Sequence, residues 1–259
     1  MDYLGDLAAA QQQLARCLDL VARRVVVLEA LDAGPGDNVV EVGCGAGLCL
    51  REIGVAVGAT GSVLGIELSA EQATAAREHC RDLANVRIEQ GNLTAMPIDD
   101  AKVDAAVSVQ VLEYVPAVEA ALAEIGRVTR PGGRFVNVAT NWGSLFWSGG
   151  DPNLTRQVLS VWEHHAPHPN LPVALPSLLR GHGYGGVTQR PVTILNRRFC
   201  PNSFSWGAAR LMAAFARSRG ALTAAELDQW LASLADADAT GAHFLSSVPV
   251  LTVATRAGT

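Results

Sequence analysis

The sequence predicts an α/β protein built around a mostly parallel sheet. Short apolar runs alternate with helical patterns through the first half of the chain, which is typical of βαβ units. A glycine-rich turn, "VVEVGCGAGLCL" at 39–50, follows the first run of β-branched residues. The chain has 259 residues, 49% of them hydrophobic, which is enough for one sizeable core. We therefore predict a single domain, 1–259.

Three parts of this domain are distinguished by their patterns. Residues 1–36 are predicted to form an N-terminal helical segment, because Leu14, Leu18 and Val21 begin a repeat of steps of four and three. Residues 37–140 are predicted to form a ligand-binding core. Ser69 followed by Gln72 resembles a capping box and predicts a helix from Ala70 to about Leu83. The predicted strands of the core are Asn38–Val42, Ser62–Glu67, Val86–Gln90, Val103–Ser108 and Arg134–Thr140.

Residues 141–259 have a different character. Eleven of the fourteen aromatic residues lie from Trp142 onward, including all five tryptophans. The stretch His164–Pro176 holds four prolines and is predicted to be a loop. We expect an aromatic-rich helical cap formed by insertions in this C-terminal half. The predicted elements are helices over Asn153–Glu163, Phe204–Arg217 and Thr223–Leu234, and strands over Gly186–Ile194 and Ser247–Thr255.

Composition limits the classes of partner. The net charge is -5 and no lysine or arginine run is present, which argues against nucleic acid or an anionic membrane. The chain has no stretch of eighteen uncharged apolar residues, so no membrane-spanning helix is predicted. The first residues lack the basic flank of a signal peptide. Five cysteines without a CxxC pair are typical of reduced thiols in the cytoplasm. The oligomeric state is open between monomer and homodimer.

The glycine turn narrows the choice of ligand. Gly43, Gly45 and Gly47 give G-x-G-x-G, whereas a dinucleotide fingerprint requires G-x-G-x-x-G. No lysine followed by serine or threonine comes after the glycines, which excludes a P-loop. A strand that ends in such a turn places backbone amides at the start of a helix, where open α/β sheets bind ligands.

Four further segments follow in order: "VLGIELS" at 63–69, "IEQGNLTAMPI" at 88–98, "VDAAVSVQVLEYVP" at 103–116 and "EIGRVTRPGGRFVNVA" at 124–139. With "EVGCGAG" at 41–47, they resemble the class I methyltransferases that depend on S-adenosylmethionine. Among these, the core is similar to the ubiquinone- and menaquinone-type C-methyltransferases and related small-molecule enzymes. The resemblance implies a Rossmann-like, doubly wound, seven-stranded sheet.

The resemblance also implies roles for residues at matching positions. Glu67 would accept hydrogen bonds from the ribose hydroxyls, and Glu41 would bind near the amino acid end of the donor. Asn92 stands where the family usually has an aspartate that binds the adenine amino group. The alternative interpretation is that neither residue binds a ligand. Glu67 is then a solvated acid at the end of a strand, and Asn92 is a turn residue. The implied cofactor-binding set is Glu41, Gly43, Cys44, Gly45, Gly47, Glu67, Leu68, Gly91, Asn92, Leu93, Gln110 and Val111.

Methyl transfer from a sulfonium, which leaves S-adenosylhomocysteine, depends mainly on positioning. A general base is needed only where the attacking atom keeps a proton. His164 and His165, in "EHHAPHP", are named only as candidate bases; a solvated loop is the favoured interpretation of this segment. Pro167 interrupts any helix that would align these histidines, so no metal is expected. The candidate acceptor-binding residues, for which core packing is the alternative, are Tyr114, Trp142, Phe146, Trp147, Phe204 and Trp206.

The sequence therefore predicts a methyltransferase acting on a small, partly apolar metabolite, of the kind found in secondary metabolism. Residues 108–113 lack the N/D-P-P-Y motif of adenine- and glutamine-modifying relatives. No cysteine set typical of arsenite methyltransferases is evident, and Glu113 alone does not provide the acids of a catechol-type metal site. Two alternatives stay open: a protein that binds the donor without methylating, as a scaffold or for another rearrangement, and a nicotinamide-dependent reductase.

Overall fold

The computed structural model describes residues 13–258. The chain divides into two compact units. The sheet unit comprises 24–139, 170–191 and the described part of 250–259. The helix-rich unit comprises the described part of 1–23 together with 140–169 and 192–249. That residues 1–259 form a single domain stays a prediction.

Eight strands form one mixed sheet in the described part of the chain. Their order is β3-β2-β1-β4-β5-β8-β6, and the short β7 pairs with β8 outside that path. The pairs β1–β2, β1–β4, β2–β3 and β4–β5 are parallel, whereas β6 and β7 run antiparallel to β8. The strands are β1 (Asn38–Val42), β2 (Ser62–Glu67), β3 (Val86–Gln90), β4 (Val103–Val109), β5 (Thr129–Ser148), β6 (Tyr184–Pro191), β7 (Ile194–Asn196) and β8 (Phe244–Arg256).

Eight α-helices accompany the strands within residues 13–258. A short 3-10 turn, Leu112–Tyr114, also follows β4. The helices are α1 (Leu18–Leu31), α2 (Leu48–Val57), α3 (Ala70–His79), α4 (Val118–Val128), α5 (Pro152–Trp162), α6 (Leu171–Gly181), α7 (Phe204–Ser218) and α8 (Ala224–Ala239). None of the described helices combines the length and apolar character that a crossing of the lipid bilayer requires.

The core of the sheet unit explains where its ligand crevice lies. Val42, Ile66 and Phe135 on the strands are buried in one cluster with Leu122 of α4 and Leu175 of α6. β1 sits in the middle of the parallel strands, with β2 on one side and β4 on the other. Because the chain order reverses at β1, the crevice outside its carboxyl end is the expected ligand position in an open α/β sheet.

The predicted α/β class with a mostly parallel sheet is confirmed. β1, β2 and β3 begin and end at the predicted residues. The sheet has seven strands in its path, as expected, with β7 as an eighth. β5 begins at Thr129 and continues to Ser148, well past the predicted end at Thr140.

One element was predicted wrongly. The stretch His164–Pro176 is not a loop throughout, because α6 begins at Leu171 and runs through Pro176. Pro172 lies in the first turn, where proline is tolerated. Pro176 removes the N–H that would bond to the carbonyl of Pro172, and Nε2 of Gln189 donates to that carbonyl instead, at 2.8 Å. Leu171, Leu175 and Leu179, four residues apart and buried, hold the helix against the core.

The helix-rich unit has its own aromatic core, formed mainly by α5, α7 and α8. Trp230 of α8 is fully buried and its Nε1 donates to Thr155 Oγ1 of α5 at 3.0 Å. Ser203 and Thr223 cap the N-termini of α7 and α8 through side-chain oxygens. Most of the tryptophan side chains of the protein therefore stabilise this unit by packing.

Candidate functional site

The glycine turn lies between β1 and α2 at the carboxyl end of the central strand. Gly43, Gly45 and Gly47 have φ values of 69°, 54° and 79°, in the left-handed region that favours glycine. The amides of Gly43 and Cys44 both donate to the carbonyl of Ile66, at 2.7 and 3.1 Å. β2 thus fixes the start of the turn.

Two of the glycines are also required for close approach. A Cβ at Gly43 would lie 2.4 Å from Cγ2 of Val111, and a Cβ at Gly47 would lie 3.1 Å from the Cα of Ala76. At Gly45, a Cβ would meet no described atom within 4 Å. The turn is therefore packed against the protein at its two ends and open at its middle, where a ligand would approach.

The start of α2 is suited to an anion. Gly47 occupies the N-cap position and supplies no side chain to the first turn of the helix. The first N–H groups of an α-helix have no intrahelical acceptor, and the helix dipole favours negative charge there. A carboxylate of a bound ligand would satisfy these donors.

Glu67 ends β2 beside the turn. Its Oε2 accepts the amide of Gly45 at 2.9 Å, and its Oε1 accepts the amide of Ser69 at 2.9 Å. Each carboxylate oxygen has a second lone pair, so both can still accept a hydroxyl of a ligand. The sequence predicts that the backbone amides of the glycine turn bind the ligand. In the structure, the amide of Gly45 donates a hydrogen bond to Glu67 instead.

Glu41 lies in β1, two residues before Gly43, and is only 3% exposed. Within the described residues its Oε2 has no hydrogen-bond partner. The pKa of Glu41 is raised to about 8, mainly by burial. A hydrogen bond with Cys49 lowers it, and the charges of Glu52 and Glu67 raise it. A buried carboxyl oxygen without a partner, beside an open turn, is suited to a cationic ligand group.

The third segment of the predicted cofactor set follows β3. Oδ1 of Asn92 accepts the amide of Thr94 at 3.0 Å, which is a turn-type bond, and the residue is exposed. The amide of Gly91 donates to the carbonyl of Glu67 at 2.9 Å. Leu68 is 72% exposed, whereas Leu93 is buried. The remaining donors and acceptors of the Asn92 amide are compatible with an adenine edge.

The exit of β4 completes the sheet-unit site. Gln110 has a φ of 57°, a costly conformation for a residue other than glycine, and its amide donates to the carbonyl of Val138 at 2.7 Å. The next residue, Val111, is the one that faces Gly43. Tyr114 is half-buried in the 3-10 turn. The predicted set around β1, β2, β3 and β4 therefore lies in one unit, and its roles in binding stay predictions.

Sequence reasoning missed two thiols. Cys49, in the first turn of α2, is the hydrogen-bond partner of Glu41. Cys80, at the end of α3, places its Sγ 3.8 Å from the carbonyl oxygen of Gly47. The thiol of Cys44 is buried as well, and burial raises its pKa. The segment "CGAGLC" contains two of these cysteines but indicates nothing about which acid they would contact.

The two candidate bases lie in the helix-rich unit and differ in environment. His164 is exposed. His165 is buried, stacked on Trp162 with ring centroids 4.0 Å apart, and its Nδ1 donates to the Trp162 carbonyl at 2.5 Å. Burial lowers the pKa of His165 to about 4, so the ring is neutral at pH 7. Their catalytic roles stay predictions.

The candidate acceptor residues of this unit also divide by exposure. Trp147 and Phe204 are buried in its core, Trp147 with its ring 5.7 Å from that of Trp230. Trp142 and Trp206 are partly buried, and Phe146 is 58% exposed. No group of three metal-ligating side chains occurs among residues 13–258.

The sheet unit matches the chemical groups of S-adenosylmethionine. The start of α2 would hold the methionine carboxylate, Glu41 its ammonium group and Glu67 the ribose hydroxyls. These roles stay predictions. The unpartnered, buried oxygen of Glu41 supports the position of the ammonium group, because a positive group there would compensate an ionised carboxylate.

Known proteins resemble this chain in sequence and in fold. The family model described as a methyltransferase domain matches residues 40–137. The chain is 41% identical over 120 residues to an uncharacterized 37.1 kDa protein in transposon TN4556 of Streptomyces fradiae, covering 46% of this chain and 35% of that protein. It is 33% identical over 114 residues to 24-methylenesterol C-methyltransferase 2 of Oryza sativa subsp. japonica, covering 43% and 31%. It is 28% identical over 115 residues to demethylmenaquinone methyltransferase of Staphylococcus carnosus, covering 44% and 48%. These alignments span less than half of each relative.

Solved structures share the fold. The [4+2]-cyclase SpnF has a TM-score of 0.61 at 18% identity, over 92% of this chain and 82% of that one. A geranyl diphosphate methyltransferase in complex with GPP and sinefungin has a TM-score of 0.55 at 22% identity, over 91% and 78%. Residues 40–137 thus match the methyltransferase-domain family, and these two solved structures share the fold of the chain.

Proposed function

We propose that this protein transfers a methyl group from S-adenosylmethionine to a small, partly apolar metabolite. The observation that carries the proposal is the hydrogen bond between Gly45 and Glu67, which places a strand-end acid beside the open middle of the glycine turn. This acid would hold the donor's ribose in the crevice outside β1. The methyl carbon would then be presented at a constant position.

The donor supplies a methyl group already activated by its sulfonium. The chain's own contribution is binding and orientation. Glu41, Glu67 and the start of α2 would hold three different parts of the donor, and positioning of this kind supplies about 7–11 kcal/mol of a two-substrate barrier. Val111, in contact range of Gly43, would exclude water on the side of β4.

The acceptor would meet the residues of the cap that keep exposed surface. Phe146, Trp142 and Trp206 retain such surface, whereas Trp147 and Phe204 are used in packing. Relatives named for sterol and demethylmenaquinone methylation, and a structural neighbour holding geranyl diphosphate, all act on or bind molecules with large apolar parts. These names support a partly apolar acceptor of similar kind.

A dedicated base is not required by this proposal. His164 is the candidate with an accessible ring, because His165 is buried against Trp162 and bonded to its carbonyl. If the acceptor loses a proton, His164 would take it. His164→Ala would then lower kcat by about 10²–10⁴, the range for general-base catalysis.

Incubation of the full chain with methyl-labelled S-adenosylmethionine and a set of sterol, quinone, prenyl and aromatic metabolites tests the proposal. The expected result is label in one acceptor, detected by mass spectrometry, and its loss in Glu67→Ala. Label in none of the acceptors or in a metabolite extract, despite donor binding, would contradict it.

That negative result would favour a second function, a donor-binding protein that serves as a scaffold or catalyses another rearrangement. One structural neighbour is named as a [4+2]-cyclase, so the fold also occurs in a protein named for another reaction. Conversion of an unlabelled metabolite in the presence of S-adenosylhomocysteine would identify such an activity. The nicotinamide-dependent alternative is disfavoured by the G-x-G-x-G spacing, and tighter calorimetric binding of NADH than of S-adenosylhomocysteine would restore it.

We propose the cytoplasm as the site of action, without nucleic acid or membrane as a partner. The five cysteines without a CxxC pair and the net charge of -5 support this. Native mass spectrometry would distinguish the monomer from the homodimer.

A further inference from the structure

Glu41 is enclosed by the three central strands. In the sheet register it lies opposite Gly65 of β2 and Val107 of β4. Its side chain is 3% exposed, and Oε2 has no partner among the described residues. An ionised carboxylate in such a place is costly unless a positive group or several hydrogen bonds compensate it.

The groups around Glu41 do not supply that compensation. Glu52 of α2 and Glu67 of β2 carry negative charge and raise the pKa of Glu41. Arg24 of α1 is the cation that lowers this pKa. Arg24 is already paired with Glu52, with Nε 3.3 Å from Oε1. The other titratable neighbours are the thiols of Cys44, Cys49 and Cys80, which carry no positive charge.

The donor brings the missing charge. Its methionine part carries an ammonium group, and the turn that would receive this part begins two residues after Glu41. We propose that Glu41 is a neutral carboxylic acid in the donor-free protein and releases its proton to solvent when the donor's ammonium group binds. The proton balance is one proton lost from the carboxyl group and none gained by the ammonium group, which stays charged.

The burial that raises the pKa of Glu41 to about 8 agrees with a neutral acid at pH 7. A cation within about 4–6 Å lowers a carboxyl pKa by about 1–3, which would bring Glu41 below pH 7 in the complex. Direct contact is not needed for this effect. Donor binding would therefore release about 0.4–0.9 proton at pH 7, and less as the pH rises above 8.

This inference rests on the donor site and is independent of the acceptor. Two probes separate the parts of the donor. S-adenosylhomocysteine carries the ammonium and carboxylate groups without the sulfonium, whereas 5′-methylthioadenosine carries the adenosine and neither charged group. The first should release a proton and the second should not.

The experiment is titration calorimetry of the full chain at pH 7 in buffers of low and high ionisation enthalpy, such as phosphate and Tris. The apparent binding enthalpy with S-adenosylhomocysteine should change with buffer in the direction of proton release. The same ligand should show no buffer dependence with Glu41→Gln, while the control Glu71→Gln, which changes an exposed acid in the first turn of α3, keeps it.

Equal enthalpies in all buffers for the wild-type chain, or release that persists in Glu41→Gln, would overturn the proposal. If Glu41→Gln does not fold, the wild-type chain decides alone: release with S-adenosylhomocysteine and not with 5′-methylthioadenosine supports the proposal, and equal release with both overturns it. Failure to find a methylated acceptor would not affect either result.

Discussion

The carboxylate of Glu67 accepts the backbone amide of Gly45 at 2.9 Å, which joins the end of β2 to the middle of the glycine turn. The same carboxylate accepts the amide of Ser69, at the N-cap of α3. One acid thus orders the turn and the start of the next helix. It would also present its remaining lone pairs to a ribose.

Glu67→Ala should therefore weaken donor binding. The loss of charged hydrogen bonds to the ligand and of the bond to Gly45 is expected to cost about 1.5–3 kcal/mol of binding free energy. Calorimetry with S-adenosylhomocysteine measures it. Glu71→Ala, an exposed acid in the first turn of α3, is the control. Equal affinities for the two variants would show that Glu67 does not contact the donor.

Gly43→Ala and Gly45→Ala should differ in cost. Both residues have positive φ, but only at Gly43 would a Cβ come within 2.4 Å of Val111. We expect Gly43→Ala to lower the free energy of unfolding by about 1–3 kcal/mol more than Gly45→Ala, as overpacking does. Urea denaturation measures the difference.

Val111→Ala should relieve the steric part of the Gly43→Ala effect in a double-mutant cycle. Additive effects would mean that the backbone conformation, and not the contact with Val111, requires glycine.

His165 should make stability depend on pH. Its pKa is lowered to about 4 in the folded chain from an ordinary value of 6.5, so the unfolded chain binds more protons between these values. Stability is therefore expected to fall as the pH drops from 6.5 toward 4, with about 1–3 kcal/mol due to this ring. His165→Phe, which keeps the stacking on Trp162, should flatten the curve in urea denaturation at pH 7 and pH 5. His164→Ala should not. An unchanged slope in His165→Phe would contradict the burial of a neutral ring.

Asn137→Leu should leave the protein as stable or more stable. Asn137 of β5 and Ser108 of β4 lie opposite each other in the sheet, both fully buried, and the side-chain polar atoms of both have no partner within the described residues. An unsatisfied buried polar group costs about 1–3 kcal/mol, which an apolar side chain of similar shape avoids. Thermal unfolding measures the change, with Val136→Asn as the destabilising control. A clear loss of stability in Asn137→Leu would reveal a partner for this amide.

The elements of the sheet unit were predictable because local patterns determine them. β1, β2 and β3 match the predicted bounds, and Ser69 Oγ accepts the amide of Gln72 at 3.4 Å, as the cap pattern indicated. The order of these segments along the chain also predicted the fold and the donor. Strand periodicity, caps and glycine turns depend on residues close in sequence, so they can be read without the fold.

Burial and charge environment depended on residues distant in sequence, and only the tertiary structure decided them. Leu18, Val21 and Val25 form a periodic stripe on α1, yet all three are exposed. α6 runs through Pro176 because Gln189 satisfies the carbonyl that the proline leaves unbonded. Likewise, Oε2 of Glu41 has no partner among the described residues, while Arg24 pairs with Glu52. The sequence by itself determined β1, β2 and β3 and, through the family resemblance, indicated which donor they are suited to bind. Packing between distant segments determined which faces are buried and which acids are neutral, because desolvation depends on every group that surrounds a side chain in space.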